Sequence, residues 1–292
     1  MAEQAARGRG DELPVGAALE RAFTFEVRDF SRVCRLIHQR AGISLGPHKR
    51  DMVYSRLVRR VRAGGFMRFV DYLDALEARD DGDEWQAFVN CLTTNLTSFF
   101  REGYHFDVLL EQLRQASPSA DAPLRIWCAA ASTGEEAWSL AITACEAFGT
   151  LAPPVRILAT DIDTQVLETA ERGVYGVDRI TALSEERKQA FFQRGTGPHA
   201  GQCRIKPALR ELVEFRAVNL LESTYAVAPG LAAIFCRNVM IYFDKPTQYG
   251  VLQRMRPLLS SEGRLYAGHS ESFNQALDLF TPCGRTVYRP TR

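Results

Sequence analysis

The 292-residue sequence has no C-x-x-C pair, and its seven cysteines stand singly in apolar runs at 34, 91, 128, 145, 203, 236 and 283. An odd, dispersed set predicts buried free thiols and excludes a disulfide framework. The five histidines are equally scattered, neither H-E-x-x-H nor Cys/His zinc spacing occurs, and no metal site is expected. No stretch reaches the about 20 apolar residues of a membrane span. Met1 to Glu12 also lacks the apolar centre of a secretory signal. The expected location is therefore the cytoplasm, without membrane insertion. Sustained apolar heptads are missing as well, so a monomer is expected.

What is present is an average soluble composition, 46% apolar and 24% charged, which excludes a disordered or fibrous chain. The length exceeds what one core usually fills, which predicts two packed units. A formal charge of +1 hides an asymmetry: from Arg28 to Arg79 there are twelve Lys or Arg against five Asp or Glu. That basic segment reads as helical, with Phe30, Val33, Cys34 and Ile37, then Val53, Leu57 and Val61, then Phe69, Tyr72, Leu73 and Leu76 at helical spacing. Gly42, Gly46-Pro47 and Gly64-Gly65 separate these helices.

The expected organisation is a disordered leader over residues 1–21, a basic all-helical domain over 22–90, and a larger α/β domain over 91–292. In the last, short apolar strands at Leu124–Cys128, Val155–Ala159, Leu231–Cys236, Gly263–Gly268 and Thr286–Tyr288 alternate with helical stretches at Glu135–Phe148, Gln165–Arg172 and about Pro246–Leu259. This is the pattern of a doubly wound parallel sheet. Around the turn Gly195–Gly201, the runs Phe191-Phe192, Cys203–Lys206 and Leu212–Phe215 alternate like antiparallel strands, predicting a β insertion at about 188–217.

Ligands of such sheets bind beyond the carboxyl ends of the strands. After the first strand, Ala129 to Glu136 (AAASTGEE) supplies small residues and a helix start; about 25 residues further on, Asp161 follows the second strand and can accept hydrogen bonds from a ribose. A dinucleotide requires G-x-G-x-x-G so that pyrophosphate reaches the helix N-terminus. Here a single Gly134 is followed by Glu135 and Glu136, which repel phosphate and suit the positive ammonium and sulfonium of S-adenosylmethionine. Taken alone, Ser132 to Glu136 is also an ordinary capped helix start. Asn219 offers an amide to an adenine edge, and Arg237-Asn238 follows the fourth strand, with Val239 and Met240 where amino-methylating DNA enzymes carry two prolines.

From about Phe23 to Pro290 the sequence resembles the CheR family, the chemoreceptor glutamate methyltransferases of bacterial chemotaxis. The resemblance rests on TNLTSFFRE (Thr94 to Glu102), AASTGEE (Ala130 to Glu136), TDID (Thr160 to Asp163), VNL (Val218 to Leu220) and FCRNVMIYF (Phe235 to Phe243), in the family's order. One departure is Ala137, where many members open the helix with proline; proline there is a preference and not chemistry. The resemblance implies an S-adenosylmethionine-dependent methyltransferase fold with a helical N-terminal domain and a β insertion. It implies that Asn95, Thr97, Arg101 and Glu136, with Glu135 as alternate, contact the methionine end, that Asp161 holds the ribose, and that Asn219 and Leu220 flank the adenine. Arg237 and Asn238 then line the reacting centre, and Arg101 and Tyr242 orient the acceptor carboxylate.

The implied reaction gives a glutamyl γ-methyl ester and S-adenosylhomocysteine. The implied partner is a receptor coiled coil, docked on Arg56, Arg59, Arg60 and Arg62, with a receptor C-terminal peptide at the β insertion, toward which Gly195 and Gly197 point. Nucleic acid is not expected as a partner, since the basic segment lacks interleaved exposed aromatics. A nucleic-acid methyltransferase of the same fold and a non-catalytic binding module are the alternatives.

Overall fold

The computed structural model describes residues 23–79 and 82–291; the leader of residues 1–21 lies outside the described residues. Four helices come first: α1 (Val27–Ala41), α2 (Arg50–Ala63), α3 (Phe69–Ala78) and α4 (Gly82–Leu92). Each buries one stripe, Val33 and Ile37 on α1, Val53, Leu57 and Val61 on α2, Leu73 on α3, and Phe88 on α4 all being fully buried in one separate core. Glu26 and Asp29 form a reciprocal capping box at the start of α1, and Gly42 at φ 71° ends it by donating to the His38 carbonyl.

A linker of residues 93–103 leads to α5 (Tyr104–Gln115) and then to β1 (Leu124–Cys128), α6 (Glu135–Phe148), β2 (Val155–Asp161) and α7 (Thr164–Arg172). There follow β3 (Val174–Gly176), α8 (Glu185–Phe191), β4 (Phe192–Arg194), β5 (Gln202–Ile205), a single turn α9 (Pro207–Arg210) and β6 (Val213–Ala217). The chain ends with β7 (Leu231–Phe235), α10 (Lys245–Met255), β8 (Leu259–Tyr266), β9 (Phe280–Gly284) and β10 (Val287–Pro290). Seven strands form the main sheet in the order β6-β2-β1-β7-β8-β10-β9. All pairings from β6 to β8 are parallel, and β10 runs antiparallel to both its neighbours. Both faces are covered: Ile126, Cys128, Ala233 and Phe235 pack with α5 and α6, while the alternating Trp127, Ile234 and Cys236 pack with α10. This is the expected doubly wound α/β architecture with an all-helical N-terminal unit.

The β insertion differs from expectation in one member. Its three-stranded antiparallel sheet has the order β3-β5-β4, so it recruits Val174–Gly176. The run Leu212–Phe215 does not belong to it: as β6 it pairs parallel with β2, Ile157 opposite Val213 through Asp161 opposite Ala217. The alternation that suggested an antiparallel strand arises because β6 is an edge strand, with Glu214 exposed between half-buried Val213 and Phe215.

Candidate functional site

β1, β2 and β6 are laid down to one side, and the chain then returns to place β7 on the other side of β1, so a crevice opens at the carboxyl ends of β1 and β7. A cavity of about 380 Å³ occupies it, closed on the far side by Ala41, Ile43, Leu45 and Met52 of the helical domain. Asn95, Thr97, Arg101, Glu136, Asp161, Asn219, Leu220, Arg237, Asn238 and Tyr242 all line this one cavity. Arg56, Arg59, Arg60 and Arg62 do not.

The loop after β1 forms one wall. Gly134 has φ +95°, and a Cβ there would lie 2.7 Å from Ala170 Cβ and 2.9 Å from the Tyr175 hydroxyl, so the turn depends on glycine. Tyr175 of the β insertion donates to the Thr133 carbonyl at 2.7 Å, which fixes the turn from outside. Of the two acids that follow, Glu136 faces the cavity, whereas Glu135 is buried against Arg179 and accepts from Thr133 Oγ1 at 2.6 Å. Glu136 is thus the carboxylate available to a ligand.

Asp161, at the end of β2, accepts from the Ser132 amide at 2.8 Å and from the Asp163 amide at 3.0 Å. Burial pushes its carboxyl up to about 6, against those amides, which favour the ionised form. Asp163 caps α7 and gathers the linker, accepting from Thr93 Oγ1 at 2.7 Å and Asn95 Nδ2 at 2.8 Å. Ser132 Oγ donates to the Asn95 carbonyl at 3.0 Å, so the linker and the β1 loop form one wall.

At the centre lies Arg237, almost fully buried. It donates to Glu136 Oε2 at 2.7 Å, to the Arg101 carbonyl at 2.5 Å, and pairs with Glu102 Oε2 at 3.1 Å. Burial pushes the Glu136 carboxyl up, with Arg237 opposing. Burial would raise Glu102 too, but His269 and Arg237 outweigh it and hold that carboxyl at about 2. Asn238 sits in the left-handed region at φ 58°, its amide bound to Glu271 Oε2 at 2.9 Å and its Nδ2 donating to Glu102 Oε1 at 3.2 Å. Among the described residues, five non-glycine residues have positive φ; Ser132 and Asn238 line the cavity, and Phe100 and Glu102 flank Arg101, which also lines it. Strain of this kind persists where surrounding contacts over-determine the backbone.

The Asn219 side chain lines the cavity and also ties the two domains, Nδ2 donating to the Arg40 carbonyl at 2.7 Å and Oδ1 accepting from the Leu221 amide at 3.0 Å, with a second hydrogen-bonding position left on each atom. One expectation changes: the arginines of α2 do not form one free face. Arg56 Nη1 donates to the carbonyls of Cys91, Leu92 and Thr93 at 3.5, 3.2 and 2.6 Å, and Arg60 pairs with Glu84, Nε to Oε1 at 3.2 Å. Arg59 and Arg62 stay exposed, Arg62 over the Phe23 ring at 5.6 Å.

Three site carboxylates had no role assigned from sequence: Glu102, Asp163 and Glu271, the last accepting from the amides of Asn238, Gly268 and Ile241. Asp163 and Glu271 lie just beyond strand ends, the position at which the sequence directs attention; Glu102 directly follows Arg101. Their partners are distant in sequence.

Two carboxylates facing the cavity, Glu136 after the β1 loop and Asp161 at the end of β2, together with a small-residue turn that admits close backbone approach, suit a ligand that carries positive charge and hydroxyl groups. The class is therefore an S-adenosylmethionine-dependent α/β methyltransferase. Family models agree: "CheR methyltransferase, all-alpha domain" matches residues 28–93 and "CheR methyltransferase, SAM binding domain" matches 95–289. The sequence is 52% identical over 89% of its length to a chemotaxis protein methyltransferase of Salmonella typhimurium, covering 88% of that protein. It is 51% identical over 92% of its length to chemotaxis protein methyltransferase 2 of Pseudomonas aeruginosa, covering 95% of that one. Among solved structures, a TehB-like SAM-dependent methyltransferase from Corynebacterium glutamicum aligns at 13% identity over 65% of this chain and 100% of that one, with TM-score 0.35. The chain belongs to the CheR family.

Proposed function

We propose that this protein transfers the methyl group of S-adenosylmethionine to glutamate side chains of a chemoreceptor's cytoplasmic coiled coil, giving γ-methyl esters and S-adenosylhomocysteine. The observation that carries the reading is the single cavity that unites Glu136 and Asp161 with Arg101, Arg237, Asn238 and Tyr242. The donor supplies an electrophilic methyl on a sulfonium. A glutamate carboxylate is already ionised near neutral pH and needs no base, so the task left to the protein is alignment and exclusion of water. Asn95, Thr97 and Glu136 hold the methionine end, Asp161 the ribose, and Asn219 with Leu220 the adenine side. Arg101, whose Nη1 donates to the Leu96 carbonyl at 2.8 Å, and Tyr242, whose hydroxyl has no hydrogen bond among the described residues, orient the acceptor.

Docking falls to Arg59 and Arg62. Met52 of the same helix lines the cavity, so Arg59 lies about 10 Å along the axis from its rim. An acidic coiled coil laid along α2 would place its glutamates near the mouth. Elsewhere in the domain Arg32 is paired with Asp74 and Glu77 and Arg35 with Glu77, which interrupts a continuous basic track of the kind nucleic acid needs. In the β insertion, β3 and β4 are both edge strands, and an extended receptor C-terminal peptide would add to one of them. The enzyme acts as a cytoplasmic monomer. The deciding experiment is transfer of a radiolabelled methyl group: a base-labile label on receptor protein is expected, and a base-stable label on lysine or nucleic acid would refute the reading.

A further inference from the structure

The cavity's charge is set by an arrangement that the cofactor contacts alone do not require. Arg237 is flanked by two carboxylates, Glu136 at 2.7 Å on the cavity side and Glu102 at 3.1 Å on the side away from it. Glu136 and Arg237 by themselves neutralise each other, so a cavity wall built from that pair would carry no net charge toward a ligand. Glu102 adds a full negative charge behind the guanidinium whatever the protonation state of Glu136. Its side chain is only 10% exposed, so water screens it weakly. Of the other groups that face it, Asn238 Nδ2 and the His269 backbone amide are neutral donors at 3.2 and 3.0 Å. The buried His105, 3.7 Å away, is held down to about 4 by burial and by Arg237 and is therefore neutral at neutral pH. His269 Nδ1 lies 2.8 Å from Glu102 on the solvent side.

S-adenosylmethionine and its product differ by one positive charge on sulfur. We propose that Glu102, acting through Arg237, is the positioning residue that biases the cavity toward the sulfonium of the methyl donor over the neutral thioether of the product, and so favours exchange of spent for fresh cofactor. The proposal rests on the S-adenosylmethionine reading of the cavity. A unit charge about 7–8 Å from any bound cation, at an effective dielectric constant of about 30, shifts that cation's affinity by roughly tenfold.

The test is calorimetric titration of the full chain with S-adenosylmethionine, S-adenosylhomocysteine and sinefungin, whose amine replaces the methyl-sulfonium with a different cation. In Glu102→Gln the two cationic ligands are expected to weaken roughly tenfold relative to S-adenosylhomocysteine, whereas Glu102→Asp, which keeps the charge, preserves the wild-type ratio. If Glu102→Gln does not fold, Glu102→Asn read against Glu102→Asp gives the same contrast between equal-length side chains that differ in charge. Equal weakening of all three ligands would show a merely structural role, and an unchanged ratio would show none; either overturns the proposal while leaving the cofactor assignment intact. Failure of the wild-type chain to bind any of the three overturns both.

Discussion

Replacing Arg237 with methionine tests the physical account of the site directly. The residue is 4% exposed, and its guanidinium separates Glu136 from Glu102. Methionine keeps much of the apolar bulk beside Phe106, whose ring lies 5.7 Å from the guanidinium carbon, but leaves two buried carboxylates without a counter-charge. Removing one partner of a buried ion pair costs about 3–5 kcal/mol. The cost has a predictable pH dependence. Glu136 is already raised by burial with Arg237 opposing, so the variant raises its folded-state value further above the unfolded value. A carboxyl raised on folding favours the fold below its unfolded value and loses that stability as pH climbs toward the folded one, at up to about 1.4 kcal/mol per pH unit. Glu102 acts in the same sense: its depressed value stabilises the wild type above the unfolded value, and that contribution shrinks in the variant. The variant should therefore be only moderately destabilised at pH 5.5 and most destabilised at pH 8. Urea unfolding of the cofactor-free protein, followed by fluorescence of the buried Trp127 and Trp138, measures this. Adding Glu136→Gln should recover part of the loss at pH 8. A difference below about 1 kcal/mol at pH 8, or one that does not grow with pH, would refute the reasoning.

Other expectations are simpler. Asp161→Asn should raise the dissociation constant for S-adenosylmethionine about 10–100-fold, the worth of hydrogen bonds to a charged acceptor. In the wild type, affinity should fall as pH drops through about 6, where Asp161 takes a proton; calorimetry at pH 5 and 8 checks both, and a flat profile contradicts the assignment. Gly134→Ala should destabilise by about 2–4 kcal/mol, from a positive φ together with contacts too close for a Cβ, seen as a lowered thermal midpoint that the ligand partly restores. Charge reversal at Arg59 and Arg62 should raise the KM for receptor and leave cofactor affinity unchanged. Arg56→Ala should instead raise the KM for S-adenosylmethionine and lower stability by about 1.5–3 kcal/mol, because it uncaps the end of α4 that feeds Thr93 to Asn95 into the cavity; the opposite pattern would return Arg56 to the docking face.

Much of this molecule was written locally. Strands buried on both faces read as apolar runs, so β1 and α6 coincide with Leu124–Cys128 and Glu135–Phe148, and Glu136, Asp161, Asn219, Arg237 and Asn238 follow from looking just past strand ends, while Asn95, Thr97 and Arg101 were legible only through the family resemblance. Strand partnership was not local. Leu212–Phe215 alternates because an edge strand shows one face to solvent, and that pattern is the same whether its single neighbour runs parallel or antiparallel. Val174–Gly176 is too short to carry a period, and Pro282 inside β9 disguises a strand whose edge position tolerates proline. The fate of charges was decided wholly by tertiary structure. Arg56 and Arg60 look as free as Arg59 along α2, yet α4 brings carbonyls and Glu84 to the first two and leaves Arg59 in water. Glu102 meets Arg237 across 135 positions of sequence. A side chain's period states which face it occupies; only the fold states which opposite charge or open carbonyl waits there.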